Sequence, residues 1–180
     1  MTKNGEPFRI LIVDDDREIR AILVDYLLHQ GYDAQGAADG KEAIKRHGDA
    51  PFDLIVTDLA MPGMTGIELI RELAADGNTT EFIIITGYAS LDNAIEAVKA
   101  GAFDYILKPF RIEELGVVIK NAQDKIILKK ANKYLLDKLK RFYSEISRYT
   151  KWLGDEDMAH LTQEASDIDE HARIGRPSPG

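Results

Sequence analysis

The chain has 180 residues, 44% of them hydrophobic, so it can bury the core of one ordinary domain with residues left over. It contains no cysteine, which excludes disulfide bonds and thiolate metal sites. No apolar stretch approaches the ~18 residues of a membrane-spanning helix, so we expect a soluble, cytoplasmic protein with no membrane contact.

The net charge of −8 is unevenly distributed along the chain. The formal charge is −10 over residues 1–119, +7 over 120–154 and −5 over 155–180. This alternation predicts an acidic globular part, a basic segment and an acidic tail.

Short apolar runs alternate with helical patterns over the first 110 residues. The runs predict strands at residues 10–13, 32–37, 52–57, 83–85 and 105–107. Between them, amphipathic spacing predicts helices over 19–27, 41–47, 66–75 and 90–101, with Gly31 ending the first and Ser90 capping the fourth. Strands alternating with helices are typical of an α/β fold with a parallel sheet.

A fifth helix is predicted to begin at Ile112 and to continue towards Gly154, because no proline or glycine stop signal lies between Gly116 and Gly154. Its later part carries a heptad seam, formed by Leu128, Asn132, Leu135, Leu139, Phe142, Ile146, Tyr149 and Leu153. We therefore expect a globular domain over residues 1–125, a coiled-coil helix over 126–154 and an acidic, disordered tail over 155–180.

The seam predicts a parallel homodimer through residues 126–154, since a lone helix would leave its apolar residues in water. Asn132 falls at an a position, where a buried asparagine favours two parallel strands in register. Two alternatives remain open: the helix could fold back on its own chain, or a different protein could cover the seam.

Charged and polar residues follow four of the predicted strands. Asp14 and Asp15 follow the first, Asp58 ends the third, Thr86 ends the fourth and Lys108 follows the fifth. Since the carboxyl ends of parallel strands open into one crevice, these side chains should lie close together. Three carboxylates, a hydroxyl and an ammonium suit a phosphoryl group held with a divalent cation, which points to phosphoryl transfer.

The motifs at these strand ends resemble the receiver domain of two-component response regulators. The similarity covers about residues 7–125 and is carried by segments 10–16, 56–66, 86–89 and 104–110 in the expected order and spacing. The resemblance implies a doubly wound, flavodoxin-like sheet of five parallel strands in the order 2-1-3-4-5 with five helices. It also implies phosphorylation by a partner histidine kinase.

Site roles are carried over residue by residue from this resemblance. Asp58 would be the phosphoacceptor, and Lys108 would contact the phosphate. Mg²⁺ would be bound by Asp14, Asp15, Asp58 and the backbone carbonyl of Ala60, an oxygen ligand set that suits this cation.

The resemblance also implies a switch and a backbone feature. Thr86 would donate its hydroxyl to the phosphoryl group, and Tyr105 would change its pose with Thr86 to report phosphorylation on the fourth helix and fifth strand. The Lys108–Pro109 peptide bond would be cis.

Simpler structural interpretations compete with each of these roles. Aspartates at strand ends are often helix caps, and Asp16 is expected to cap the first helix. Thr86 alone could be structural, Tyr105 could be an ordinary half-buried strand residue and Lys108 could be a solvated surface lysine. The combination at four strand ends favours the functional interpretation.

The sequence shows no motif of an output domain, neither a helix-turn-helix after Ile112 nor a Gly-rich phosphate loop. We therefore expect a signalling protein, not an enzyme, whose output is a contact with a downstream protein, in a stand-alone or truncated regulator. Alternatives are a phosphorelay intermediate or phosphate sink and, less favoured, a nucleic-acid binder that uses the basic residues of the long helix.

Overall fold

The computed structural model describes residues 7–74, 79–88 and 90–152, with side chains as far as residue 149. The predicted end of the third helix at Ala75, the seam residue Leu153, the stop at Gly154 and the tail over 155–180 lie outside the described residues. Within the described part, no helix is long and apolar enough to cross a membrane.

Five strands and five helices alternate along the chain. The strands are β1 Arg9–Val13, β2 Asp33–Ala37, β3 Leu54–Asp58, β4 Glu81–Thr86 and β5 Asp104–Leu107. The helices are α1 Arg17–His29, α2 Gly40–Asp49, α3 Gly66–Ala74, α4 Leu91–Ala100 and α5 Ile112–Trp152. All strand pairs are parallel and the sheet order is β2-β1-β3-β4-β5, which confirms the predicted fold class.

The sheet is covered on both faces, because alternate strand residues point to opposite sides. On one face, α1 and α5 pack against strand residues such as Ile10, Leu54 and Ile83. On the other face, α2, α3 and α4 pack against strand residues such as Leu11, Ile55 and Ile84. These central strands are therefore apolar on both sides and become polar where they reach the carboxyl edge of the sheet.

The predicted helix boundaries are realised by specific caps. Asp16 accepts backbone N–H groups of Glu18 and Ile19, as expected for the cap of α1. Ser90 caps α4 by accepting the N–H of Asn93. Gly31 follows α1 with a φ of 84°, a left-handed conformation that glycine adopts without steric cost.

Helix α5 packs against the sheet beyond residue 125. Ile126 is buried in the core, Lys125 Nζ lies 3.0 Å from Glu81 Oε2, and Lys129 also pairs with Glu81. Lys130 forms an ion pair with Asp53. These contacts tie the helix to the amino-terminal edge of the sheet, opposite the edge that carries Asp58.

The chain divides into two units after Ala131. In the second unit the described part of α5 exposes the side chains of its predicted seam, which include Leu135, Leu139, Phe142, Ile146 and Tyr149. Lys138 Nζ lies 4.9 Å from the ring centre of Tyr134, a cation–π contact along the same helix.

Candidate functional site

The carboxyl edge of the sheet brings four of the predicted residues together. Asp14 follows β1, Asp58 ends β3, Thr86 ends β4 and Lys108 follows β5. Lys108 Nζ lies 2.9 Å from Asp14 Oδ2 and 2.6 Å from Asp58 Oδ2, so one ammonium contacts both carboxylates. The Lys108–Pro109 peptide bond is cis, as the family resemblance implied.

These three charged side chains are largely withdrawn from water. The exposed fraction of the side chain is 4% for Asp14, 12% for Asp58 and 22% for Lys108. Burial lowers the pKa of Lys108, but hydrogen bonds to Asp58 and Asp14 outweigh it, and the pKa lies above its ordinary value of 10.5. The site therefore holds a protonated ammonium against two carboxylates at neutral pH.

The polar groups of Asp14 are all hydrogen bonded. Its N–H donates to the carbonyl of Ala37 over 3.3 Å, and its carbonyl accepts Arg20 Nη1 over 2.5 Å. Its Oδ1 accepts the N–H of Asp16 over 2.9 Å, and its Oδ2 accepts Lys108. Asp14 thus organises the loop between β1 and α1 as well as contacting the lysine.

Asp58 is held where β3 turns into the loop before α3. Its Oδ1 accepts the N–H of Ala60 over 3.0 Å. A Cβ added at Gly66, the first residue of α3, would lie 2.3 Å from the carbonyl oxygen of Asp58, so only glycine permits this close approach. Thr65 and Glu68 form reciprocal hydrogen bonds that cap the start of α3.

Thr86 and Tyr105 share a partner, Tyr88. The buried Thr86 Oγ1 accepts the N–H of Tyr88 over 3.1 Å, and the Tyr105 hydroxyl donates to the carbonyl of Tyr88 over 2.9 Å. Burial and then the negative charge of Asp58 raise the pKa of Tyr105, which keeps its hydroxyl protonated as a donor. The two predicted switch residues are thus linked through one peptide segment, a connection that sequence reasoning missed.

The predicted metal ligands do not assemble into a cluster of side chains. Asp15 and Ala60 are exposed at the same edge, and no three His, Cys, Asp or Glu side chains in the described part of the chain converge closely enough to hold a metal ion. Mg²⁺ commonly uses one or two carboxylates and keeps several waters, so the oxygen donors at this edge suit it chemically.

Comparison with known protein families identifies this region of the chain. A family model described as the response regulator receiver domain matches residues 10–120. The chain is 35% identical over 127 residues to the regulatory protein AtoC of Escherichia coli (strain K12), covering 71% of this chain and 28% of AtoC. It is 38% identical over 107 residues to the two-component response regulator PhoP of Pseudomonas aeruginosa, covering 59% of this chain and 48% of PhoP. The chain therefore spans less than half the length of these two relatives.

Solved structures of similar chains share the fold. A CheY-like receiver domain protein from Methanospirillum hungatei JF-1 is 34% identical with a TM-score of 0.67, covering 69% of this chain and 99% of that chain. The chemotaxis protein CheY4 of Vibrio cholerae, crystallised at low pH, is 31% identical with a TM-score of 0.62, covering 65% of this chain and 99% of that chain.

Proposed function

We propose that this chain, which belongs to the response regulator receiver domain family, accepts a phosphoryl group on Asp58 and changes its protein contacts in response. Receiver domains are typically signalling modules, are phosphorylated by histidine kinases and interact with downstream partners. The observation that carries the proposal for this chain is the Lys108 ammonium, which lies 2.6 Å from Asp58 Oδ2 at the open edge of the sheet.

The proposed reaction is an in-line transfer from a phosphohistidine. An oxygen of the Asp58 carboxylate forms a bond to phosphorus while the bond between phosphorus and the histidine nitrogen breaks. Lys108 is already protonated beside Asp58 and can donate to an oxygen of the arriving group. Positioning and electrostatic stabilisation therefore supply the catalysis, and no proton needs to be removed from the nucleophile.

Receiver domains generally bind Mg²⁺ at the phosphorylation site. In this chain Asp14, Asp15, Asp58 and the carbonyl of Ala60 would hold it, and bound Mg²⁺ would offset the negative charges of the carboxylates and the phosphoryl group. Asp14 Oδ2 and Asp58 Oδ2 contact Lys108 in this structure, whereas Asp15 is exposed to solvent at the same edge.

Phosphorylation would be reported through Thr86 and Tyr105. A phosphoryl oxygen that accepts the Thr86 hydroxyl would alter the contact between Thr86 and the N–H of Tyr88. The carbonyl of Tyr88 holds the Tyr105 hydroxyl, so a shift of this segment would change the pose of Tyr105. The output would therefore reach α4 and β5.

Residues 126–154 would carry a parallel homodimer contact. The exposed seam residues would be buried against the same residues of a second copy. Removing this apolar surface from water is favourable by about 25 cal/mol per Å².

The nucleic-acid interpretation of the basic helix is less favoured by the structure. Lys120 pairs with Asp124, Lys125 and Lys129 pair with Glu81, and Lys130 pairs with Asp53. These four lysines contact three carboxylates of their own chain, which reduces the positive charge that this part of the helix presents.

Incubation with acetyl phosphate and Mg²⁺ tests the proposed chemistry. Intact-mass spectrometry should show the gain of one phosphoryl group, and hydroxylamine should remove it because the product is an acyl phosphate. The proposal is contradicted by a protein that gains no phosphate, or whose phosphate resists hydroxylamine.

A further inference from the structure

Arg20 lies one turn into α1, and its side chain reaches back to the acidic edge of the sheet. Its Nη1 donates a 2.5 Å hydrogen bond to the backbone carbonyl of Asp14. We infer that Arg20 is a positioning residue for Asp15, a role that rests on the proposed Mg²⁺ and phosphate site. Its guanidinium fixes the peptide that joins Asp14 to Asp15 and thereby sets the direction in which Asp15 presents its carboxylate.

The planarity of the peptide bond makes this contact effective. The Asp14 carbonyl and the Asp15 N–H belong to one rigid plane, so holding the oxygen restricts rotation of the whole unit. Among the described hydrogen bonds of Asp14, the others hold its own N–H and its carboxylate. Arg20 is therefore the side chain that directly contacts the carbonyl of the peptide leading into Asp15, and it acts together with the hydrogen bond from the Asp16 N–H to Asp14 Oδ1.

Gly36 of β2 provides the space that the arginine needs. A Cβ added at Gly36 would lie 3.0 Å from both Cγ and Cδ of Arg20, closer than ordinary van der Waals contact. Gly36 pairs with Ile12 of β1, two residues before Asp14. The aliphatic part of Arg20 thus crosses the end of the sheet over a position without a side chain, and a methyl group there would force it to shift by a few tenths of an ångström.

The direction of the change in Mg²⁺ affinity on replacing Arg20 distinguishes a positioning role from an effect of its positive charge alone. A guanidinium is a permanent cation, and charge repulsion alone would weaken binding of Mg²⁺ nearby. On that basis a neutral residue at position 20 would tighten Mg²⁺ binding. Positioning predicts the reverse, because loss of a partner that orients a metal ligand commonly costs about 10- to 100-fold in metal affinity.

The test measures Mg²⁺ affinity calorimetrically on the full chain. Arg20→Gln should weaken binding about 10-fold, and Arg20→Lys, which keeps a donor and the charge, should fall between Arg20→Gln and wild type. Arg17→Gln removes an equal charge from an exposed residue at the start of the same helix and should leave affinity unchanged. Urea unfolding without Mg²⁺ verifies that each variant is folded.

Gly36→Ala provides a second test of the role of Arg20 and changes no charge. Alone it should weaken Mg²⁺ binding several-fold by displacing Arg20, whereas in an Arg20→Gln background it should add little. Equal effects of Gly36→Ala in both backgrounds would overturn the inference, as would an Arg20→Gln protein that binds Mg²⁺ as well as wild type or better. A wild-type protein that neither binds Mg²⁺ nor takes up phosphate would instead overturn the proposed function and the role of Arg20 with it.

Discussion

Lys108 Nζ lies 2.6 Å from Asp58 Oδ2, although the two residues are separated by 50 positions in the chain. The same ammonium contacts Asp14 Oδ2, so two carboxylates that would repel each other share one cation. Because like charges brought together in a partly buried site are costly, this lysine contributes to stability as well as to the proposed phosphate contact.

Lys108→Gln should lower the free energy of unfolding by about 1–2 kcal/mol without metal, because Asp14 and Asp58 lose their shared charged partner while the site stays partly open to solvent. Urea denaturation in the presence of a chelator measures the change. Lys99→Gln, on an exposed residue of α4, serves as the matched control and should have little effect. Equal stability of the Lys108 variant and wild type would show that the pair carries no net stabilisation.

The stabilisation by Lys108 should be lost at alkaline pH. Its pKa is raised above the ordinary value of 10.5, so the folded state favours the protonated form. The contribution is fully present below the pKa of the unfolded chain and is lost as pH rises through the higher folded value. The difference in unfolding free energy between wild type and Lys108→Gln should stay constant from neutral pH to about pH 9 and shrink above about pH 10.5. A difference that grows over the alkaline range would contradict the assignment.

Thr86→Ala should still accept phosphate but should not transmit the change to α4 and β5. The variant loses the hydroxyl that contacts the N–H of Tyr88, whereas Asp58 and Lys108 keep their positions. Hydrogen exchange measured with and without acetyl phosphate should show protection changes on α4 and β5 in wild type only. Thr80→Ala, at the opposite edge of the sheet, is the control and should respond as wild type does. An unchanged response in Thr86→Ala would remove the switch role.

Tyr105→Phe tests the contact between Tyr105 and Tyr88, the residue that Thr86 also contacts. The substitution deletes the hydroxyl that donates to the carbonyl of Tyr88 but leaves the ring in place. We expect phosphorylation at the wild-type level with a smaller exchange response on α4. Tyr32→Phe controls for the loss of a phenol elsewhere in the domain. A full response in Tyr105→Phe would show that the hydroxyl takes no part in the signal.

Paired substitutions Leu139→Lys and Ile146→Lys should make the full chain monomeric, because they place charges in the centre of the predicted seam. Sedimentation at tens of micromolar should show a dimer for wild type and a monomer for this variant. Lys140→Glu lies off the seam and is the control, which should remain dimeric. A wild-type monomer under these conditions would contradict the homodimer.

The strand order was implied by the resemblance to receiver domains. The convergence of Asp58 with Lys108 was predicted from the residues themselves, because the carboxyl ends of parallel strands open into one crevice. Sequence spacing alone did not reveal that one ammonium contacts both Asp14 and Asp58. That contact depends on the side-chain directions of Asp14 after β1, Asp58 at the end of β3 and Lys108 after β5.

Other features depend on tertiary contacts that leave no local pattern. Arg20 is an ordinary helix residue in the sequence, and its contact with Asp14 follows from the space above Gly36. In the sequence Lys129 is one of several basic residues of the long helix, whereas in the structure it pairs with the buried Glu81 and extends the packing of α5. Pairing between distant charges could be inferred only after the sheet and helix were placed together.

Phosphorylation of Asp58 is the central claim, and the intact mass of three proteins after incubation with acetyl phosphate and Mg²⁺ tests it most directly. Wild type and Asp104→Asn, a control that removes an exposed aspartate from the start of β5, should each gain one phosphoryl group. Asp58→Asn should gain none, because an amide is not a competent nucleophile. Phosphate uptake by Asp58→Asn equal to that of wild type would contradict the account.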